Sequence, residues 1–314
     1  MSSIKNYKFS VDDAFHRPYP SNKTKNGVRY VLIGGGYVSF PATFQYHQYL
    51  IMVLLPVVLG LDILTDSQDR SAFRRMILSH IKKFTSGERY MPIRANNADI
   101  YLVTTANDIE LLYIKGLLPV GIVKRLRSKS DGEMRGAIYE VAIAAAFVRN
   151  GYKISWLTED GRPEFTAEKN GLVDVEAKRR NRVGVAEYNI DTEIRAIRGN
   201  LKLALKKKHD NPYMILVDSD MPPKTSEESV TFYERCQREF AQYELDKACL
   251  IITNSGYEND KDRIESGKNS AMVFLGKNGP PKEVIEATIR SMHSELPEPV
   301  SSDWPVGSDV NETK

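Results

Sequence analysis

Cysteine is almost missing from this chain. The two present, Cys236 and Cys249, are too few and too far apart for a disulfide framework or a Cys-x-x-Cys metal knuckle, so a reducing, cytoplasmic setting is expected. Histidine is nearly as scarce. His16, His47, His80, His209 and His293 show no His-Glu-x-x-His or paired spacing, which argues against zinc-dependent hydrolysis. A long apolar run is also lacking. The best candidate, YLIMVLLPVVLGLDIL from Tyr49 to Leu64, is interrupted by Pro56 and Gly60 and falls short of the roughly 20 apolar residues that a spanning helix needs. It reads as a buried core helix kinked at Pro56, and no membrane partner is expected. The opening MSSIKNYKFSVDDAFHRPYP is polar and lacks the apolar core of a secretory signal. Nor does one sign of charge dominate: 44 Lys and Arg face 41 Asp and Glu, a net of +3, so any polyanionic partner must be argued from where the charge lies.

What is present suits a globular α/β protein. The chain has 314 residues, 41% of them hydrophobic, enough for two cores. Residues 1–125 read as an α-rich mixed domain. It opens with a polar arm or surface strand to about residue 25 and a hairpin around Gly34, Gly35 and Gly36. An apolar helical face of Phe73, Met76, Ile77 and Ile81 follows, then a strand over 99–105 and a helix over 107–119. The polar stretch LRSKSDGEMRG marks the boundary, and a second domain is expected over 126–294. It begins with a helix from Glu133 to Arg149, stopped at Gly151. Strands, a basic helix over 191–208, the apolar strand YMILVD, and further helix and strand pieces follow in an α/β pattern. The tail over 295–314 reads as disordered.

Within RPEFTAEKNGLVDVEAKRR, residues 162–180, Asn170-Gly171 is a strong hairpin signal between two strand-like pieces. Alternation sets Asp174, Glu176 and Lys178 on one face of the second strand and Val173, Val175 and Ala177 on the other. A two-residue loop would send Glu164 to the wrong face. A three-residue loop of Lys169, Asn170 and Gly171, with Gly171 left-handed in a G1 bulge, pairs Glu164 with Glu176. Two facing carboxylates repel unless a cation lies between them, and oxygen ligands of this kind suit Mg²⁺ or Mn²⁺.

Pro163-Glu164, then Glu176-Ala177-Lys178, preceded by a helix with Glu140 and set in an αβββαβ order, resembles the PD-(D/E)xK nuclease superfamily, the restriction-endonuclease-like fold. The likeness spans about residues 130 to 220. It implies metal ligation by Glu164, Glu176 and Glu140, and assistance to the attacking water by Lys178. The acid after proline is a glutamate here, where the family more often has aspartate. From the residues alone, Glu140 sits among Gly136, Ala137, Ile143, Ala144 and Phe147, which suits either a site acid or a buried partner for a structural arginine.

Arg179, Arg180, Arg182, Arg195 and Arg198 lie beside or after the triplet and are the expected nucleic-acid contacts. Lys206, Lys207 and Lys208 fit a phosphate surface or a plain solvated helix face equally well. Asp218 and Asp220 read as turn caps before Pro222-Pro223. The expectation is therefore a Mg²⁺- or Mn²⁺-dependent nuclease acting on DNA, with a homodimer as one option. The alternative is an inactive member of the same fold that binds nucleic acid or protein.

Overall fold

A computed structural model of the chain describes residues 22–33, 36–42, 46–60, 62–85, 97–180, 189–220, 226–254 and 272–292. Most of the expected N-terminal arm, Arg182 and the tail over 295–314 lie outside the described residues. The fold divides into two compact units, one drawn from residues up to Lys129 and the other mainly from Ser130–His293.

The first unit carries an antiparallel sheet of β1 (Asn22–Lys25), β2 (Val28–Ile33) and β3 (Gly36–Pro41). Ile33 pairs with Gly36, which gives the expected hairpin; Gly34 and Gly35 are outside the described residues. The apolar run is buried as α1 (Tyr46–Tyr49), a π-helical stretch at Leu50–Leu54 and α2 (Leu55–Leu59), with Leu50, Ile51, Leu54 and Leu55 fully enclosed. The run is a buried helix, as expected, and it continues through Pro56. That proline lies in the first turn of α2, where a missing N–H costs nothing, and the π-turn before it bonds the Leu55 N–H to the Leu50 carbonyl. The break falls at Gly60, whose φ of +106° is open to glycine but rare for other residues. No helix among the described residues is long and apolar enough to cross a membrane.

Next come α3 (Asp62–Thr65), α4 (Ala72–Thr85), α5 (Asn97–Ile114) and α6 (Val120–Leu126). The strand expected over 99–105 is in fact part of α5. Leu102, Val103, Ala106 and Ile109 are buried at helical spacing, so core contacts override the local β-preference of valine and threonine. Arg127 ties the unit together, reaching the Leu59 carbonyl at 3.0 Å, Asp62 at 2.7 Å and Asp69 at 3.3 Å.

The second unit opens with α7 (Asp131–Arg149). Ser130 caps it by accepting from the Glu133 N–H, and Gly151 with φ +76° follows its end. Six strands form one sheet in sequence order: β4 (Lys153–Trp156), β5 (Phe165–Glu168), β6 (Leu172–Arg179), β7 (Tyr213–Asp218), β8 (Ala248–Thr253) and β9 (Met272–Leu275). The pairs among β4, β5 and β6 are antiparallel, β6 to β8 run parallel, and β9 is antiparallel to β8. Every residue of β7 and β8 is buried, as central parallel strands require. The crossovers α8 (Ile190–Ala204) and α9 (Ser226–Phe240) cover one face, packing Ile194, Ile197, Leu201, Phe232 and Phe240 on Tyr213, Ile215, Val217 and Leu250. On the other face α7 meets α10 (Lys282–Met292), with the Asn150 side chain donating to the Ala287 carbonyl.

Candidate functional site

Strand β6 divides its side chains between these two faces. Asp174, Glu176 and Lys178 pair in register with Tyr213, Ile215 and Val217, and so lie on the side covered by α8 and α9. Val175 and Arg179 lie on the α7 side: Phe165, opposite Val175, meets Phe147 of α7 with ring centroids 5.6 Å apart. The hairpin pairs Phe165 with Val175 and Glu168 with Leu172, leaving a three-residue loop. The paired register ends at Phe165 and Val175, and just before it the Glu164 N–H donates to the Val175 carbonyl at 3.0 Å, which holds Glu164 beside the end of the hairpin next to Glu176. Gly171 has φ +157°, close to extended, so the loop reaches the expected parity without the left-handed G1 glycine.

Glu164, Glu176 and Lys178 therefore meet. The Lys178 Nζ lies 2.6 Å from Glu176 Oε1 and 3.1 Å from Glu164 Oε1. A second ammonium arrives from the turn after α8: Lys207 Nζ is 2.9 Å from Glu176 Oε2 and 3.5 Å from Glu164 Oε1. Each lysine bridges both acids. Glu176 is fully buried, while Glu164 and Lys178 keep 20% and 26% of their side chains exposed, so the cluster opens to solvent at one rim. At these distances the two ammonium groups balance the charge of the buried Glu176 carboxylate.

Burial pushes the Glu176 carboxyl above the usual carboxylate range, Lys178 pulls it back and Glu164 adds to the rise. Burial would lower the Lys178 ammonium, yet Glu176 and Glu164 beside it hold it above its ordinary value. Lys178 is therefore positively charged at neutral pH.

Asp174 shares the face but has a different task. Its buried carboxylate accepts from Thr166 Oγ1 at 2.7 Å, from the backbone N–H groups of Asp210 and Asn211 at 3.0 and 3.2 Å, and from Asn211 Nδ2 at 3.1 Å. Burial would raise this carboxyl, but the hydrogen bonds outweigh it and keep it below its ordinary range. Asp174 therefore fastens the segment that follows Lys207.

Among the described residues, the other expected site residues are not brought to this cluster. Glu140 is buried, but α7 lies against the opposite face of the sheet, so the helix acid does not complete the carboxylate set. Arg179 points to that face too, 4% exposed, with Asp218 at 3.3 Å and Asp220 at 2.9 Å. These two aspartates are ion-pair partners, and Asp220 also takes a φ of +45°. Arg180 is paired with Glu193 and Arg198 with Glu239 at 2.7 Å. Arg195 is exposed. Burial and pairing thus remove Arg179 from any phosphate surface and engage Arg180 and Arg198 within the protein. Lys207 could not be singled out in sequence because it is the middle of three consecutive lysines; in the structure Lys206 and Lys208 on either side of it are exposed.

The arrangement brings together one carboxylate of β6, one just before β5 and two ammonium groups, with one open side. Comparison with models of protein families, with curated proteins and with solved structures gives no match for this chain, so the reading of the site rests on its own residues.

Proposed function

We propose that the second unit hydrolyses phosphodiester bonds of DNA with the aid of Mg²⁺ or Mn²⁺. The observation that carries this is the convergence of Glu176 and Lys178 of β6 with Glu164, which enters β5 of the same hairpin. The order α7, β4, β5, β6, α8, β7 supports reading the core as restriction-endonuclease-like.

The residues fit such a cation. Both oxygens of Glu176 are buried and face only the mobile ends of two lysines, and Glu164 adds a second carboxylate that the same two lysines reach. Among the described residues no group of three or more carboxylate, histidine or cysteine ligands forms; Mg²⁺ commonly keeps several waters and needs only one or two carboxylates. When bound, the cation supplies Lewis-acid activation of water and offsets charge growing on the phosphate. Glu164 and Glu176 would hold it. Lys178 presents its ammonium at the rim, where it stabilises the anionic attacking oxygen or the developing charge on the phosphate.

A second reading, a non-catalytic member of this fold that binds nucleic acid or a partner protein, is favoured by one observation: Lys178 and Lys207 already balance the two carboxylates. Incubating the full chain with plasmid and linear DNA in Mg²⁺, Mn²⁺ or EDTA separates the two. The proposal expects cleavage in either metal and none in EDTA. Intact DNA under every condition, with DNA still bound in a gel-shift assay, favours the second reading.

A further inference from the structure

We propose that Lys207 is a tethered counter-ion that competes with the divalent cation for Glu164 and Glu176 and so sets how tightly the site takes it. This rests on the reading of that pair as the cation's ligands.

Of three consecutive lysines only Lys207 turns inward, with 20% of its side chain exposed between two exposed neighbours. Its ammonium contacts the same Glu164 oxygen as Lys178, and it takes the Glu176 oxygen that Lys178 leaves. Lys178 approaches along its own strand, as part of the sheet. Lys207 approaches from a turn beyond α8, so it can withdraw without disturbing the strand pairing.

The placement is built, not incidental. The Lys207 N–H is held by the Ala204 carbonyl, and the Lys208 N–H donates to the Gly161 carbonyl at 2.8 Å. Two residues further on, Asp210 is tied to Arg162 at 2.6 Å and, with Asn211, to the buried Asp174. These bonds fix the backbone on both sides of Lys207 and leave its side chain directed at the acids.

A tethered positive charge 2.9 Å from Glu176 and 3.5 Å from Glu164, in a partly buried setting where screening is weak, opposes an incoming cation directly. With both lysines present the cluster is neutral; without Lys207 it carries one net negative charge and an open flank.

The test is calorimetric titration of the full chain with MnCl₂, without nucleic acid. Lys207→Gln, and Lys207→Met as a second form that keeps most of the aliphatic stem, should bind Mn²⁺ at least tenfold more tightly than the wild type. Lys207→Arg, which keeps the charge, and Lys206→Gln, next to it but exposed, should stay near the wild type. Adding Glu176→Gln to Lys207→Gln should abolish the gain. Equal or weaker binding by both uncharged variants, with unfolding midpoints showing them folded, overturns the role of Lys207 while leaving the cation site standing. Absence of binding by the wild type and by both variants overturns the inference and the cation site together.

Discussion

Arg179 carries a full charge with 4% of its side chain exposed, and its stability depends on Asp218 and Asp220. Removing one member of a buried ion pair leaves the others uncompensated, so Arg179→Met should cost about 3 kcal/mol or more in urea unfolding. Arg195→Met, at an exposed position of α8, should stay within about 0.5 kcal/mol of the wild type. Similar unfolding curves for the two variants would show that the buried network contributes little. Alternation along β6 predicts that Glu176 and Arg179 leave the strand on opposite sides. What waits on each side is set by α7 and by the turn after α8, more than twenty residues away along the chain. For that reason the Glu164, Glu176 and Lys178 grouping was legible in the sequence, whereas the burial of Arg179, the remoteness of Glu140 and the inward turn of Lys207 were not.

Among the elements, the hairpin of β5 and β6 and the turn after α8 position the site, and Asp174 joins them. Its carboxylate accepts from two backbone N–H groups, one amide and one hydroxyl, so Asp174→Ala should leave several of these donors unsatisfied and destabilise the fold by about 1–3 kcal/mol. The same variant should loosen Lys207, seen as faster amide hydrogen exchange at residues 207–211 than in the wild type. Unchanged exchange there would mean that the turn is held without Asp174. The hairpin was readable because Asn170-Gly171 and the period-two pattern agree, and the loop length fixes parity. The 99–105 segment was not, since valine and threonine favour a strand locally while the wider spacing of Leu102, Val103, Ala106 and Ile109 builds a helix face in a core that only the folded unit reveals.

At the scale of the whole molecule, each unit has its own core and its own polar fastening. In the first, burial would raise the Asp69 carboxyl, but Ser71 and Arg127 outweigh it and hold it below the ordinary carboxylate range. A carboxyl lower in the folded than in the unfolded state stabilises above its unfolded value, about 4, and that contribution is lost as pH falls through the folded value. Wild-type stability should therefore decline below about pH 4, and the decline should be smaller in Asp69→Asn. Parallel pH profiles for the two would exclude Asp69 as a source of acid sensitivity. The central claim concerns the second unit, that Glu176 and Lys178 act at a cation-dependent phosphodiesterase site. Its most direct test is the initial rate of DNA cleavage in Mn²⁺ by the wild type, Glu176→Gln and Lys178→Met, each checked for folding. The account predicts EDTA-sensitive cleavage by the wild type and a loss of at least about 100-fold in each variant; equal rates in all three, or cleavage indifferent to EDTA, would contradict it.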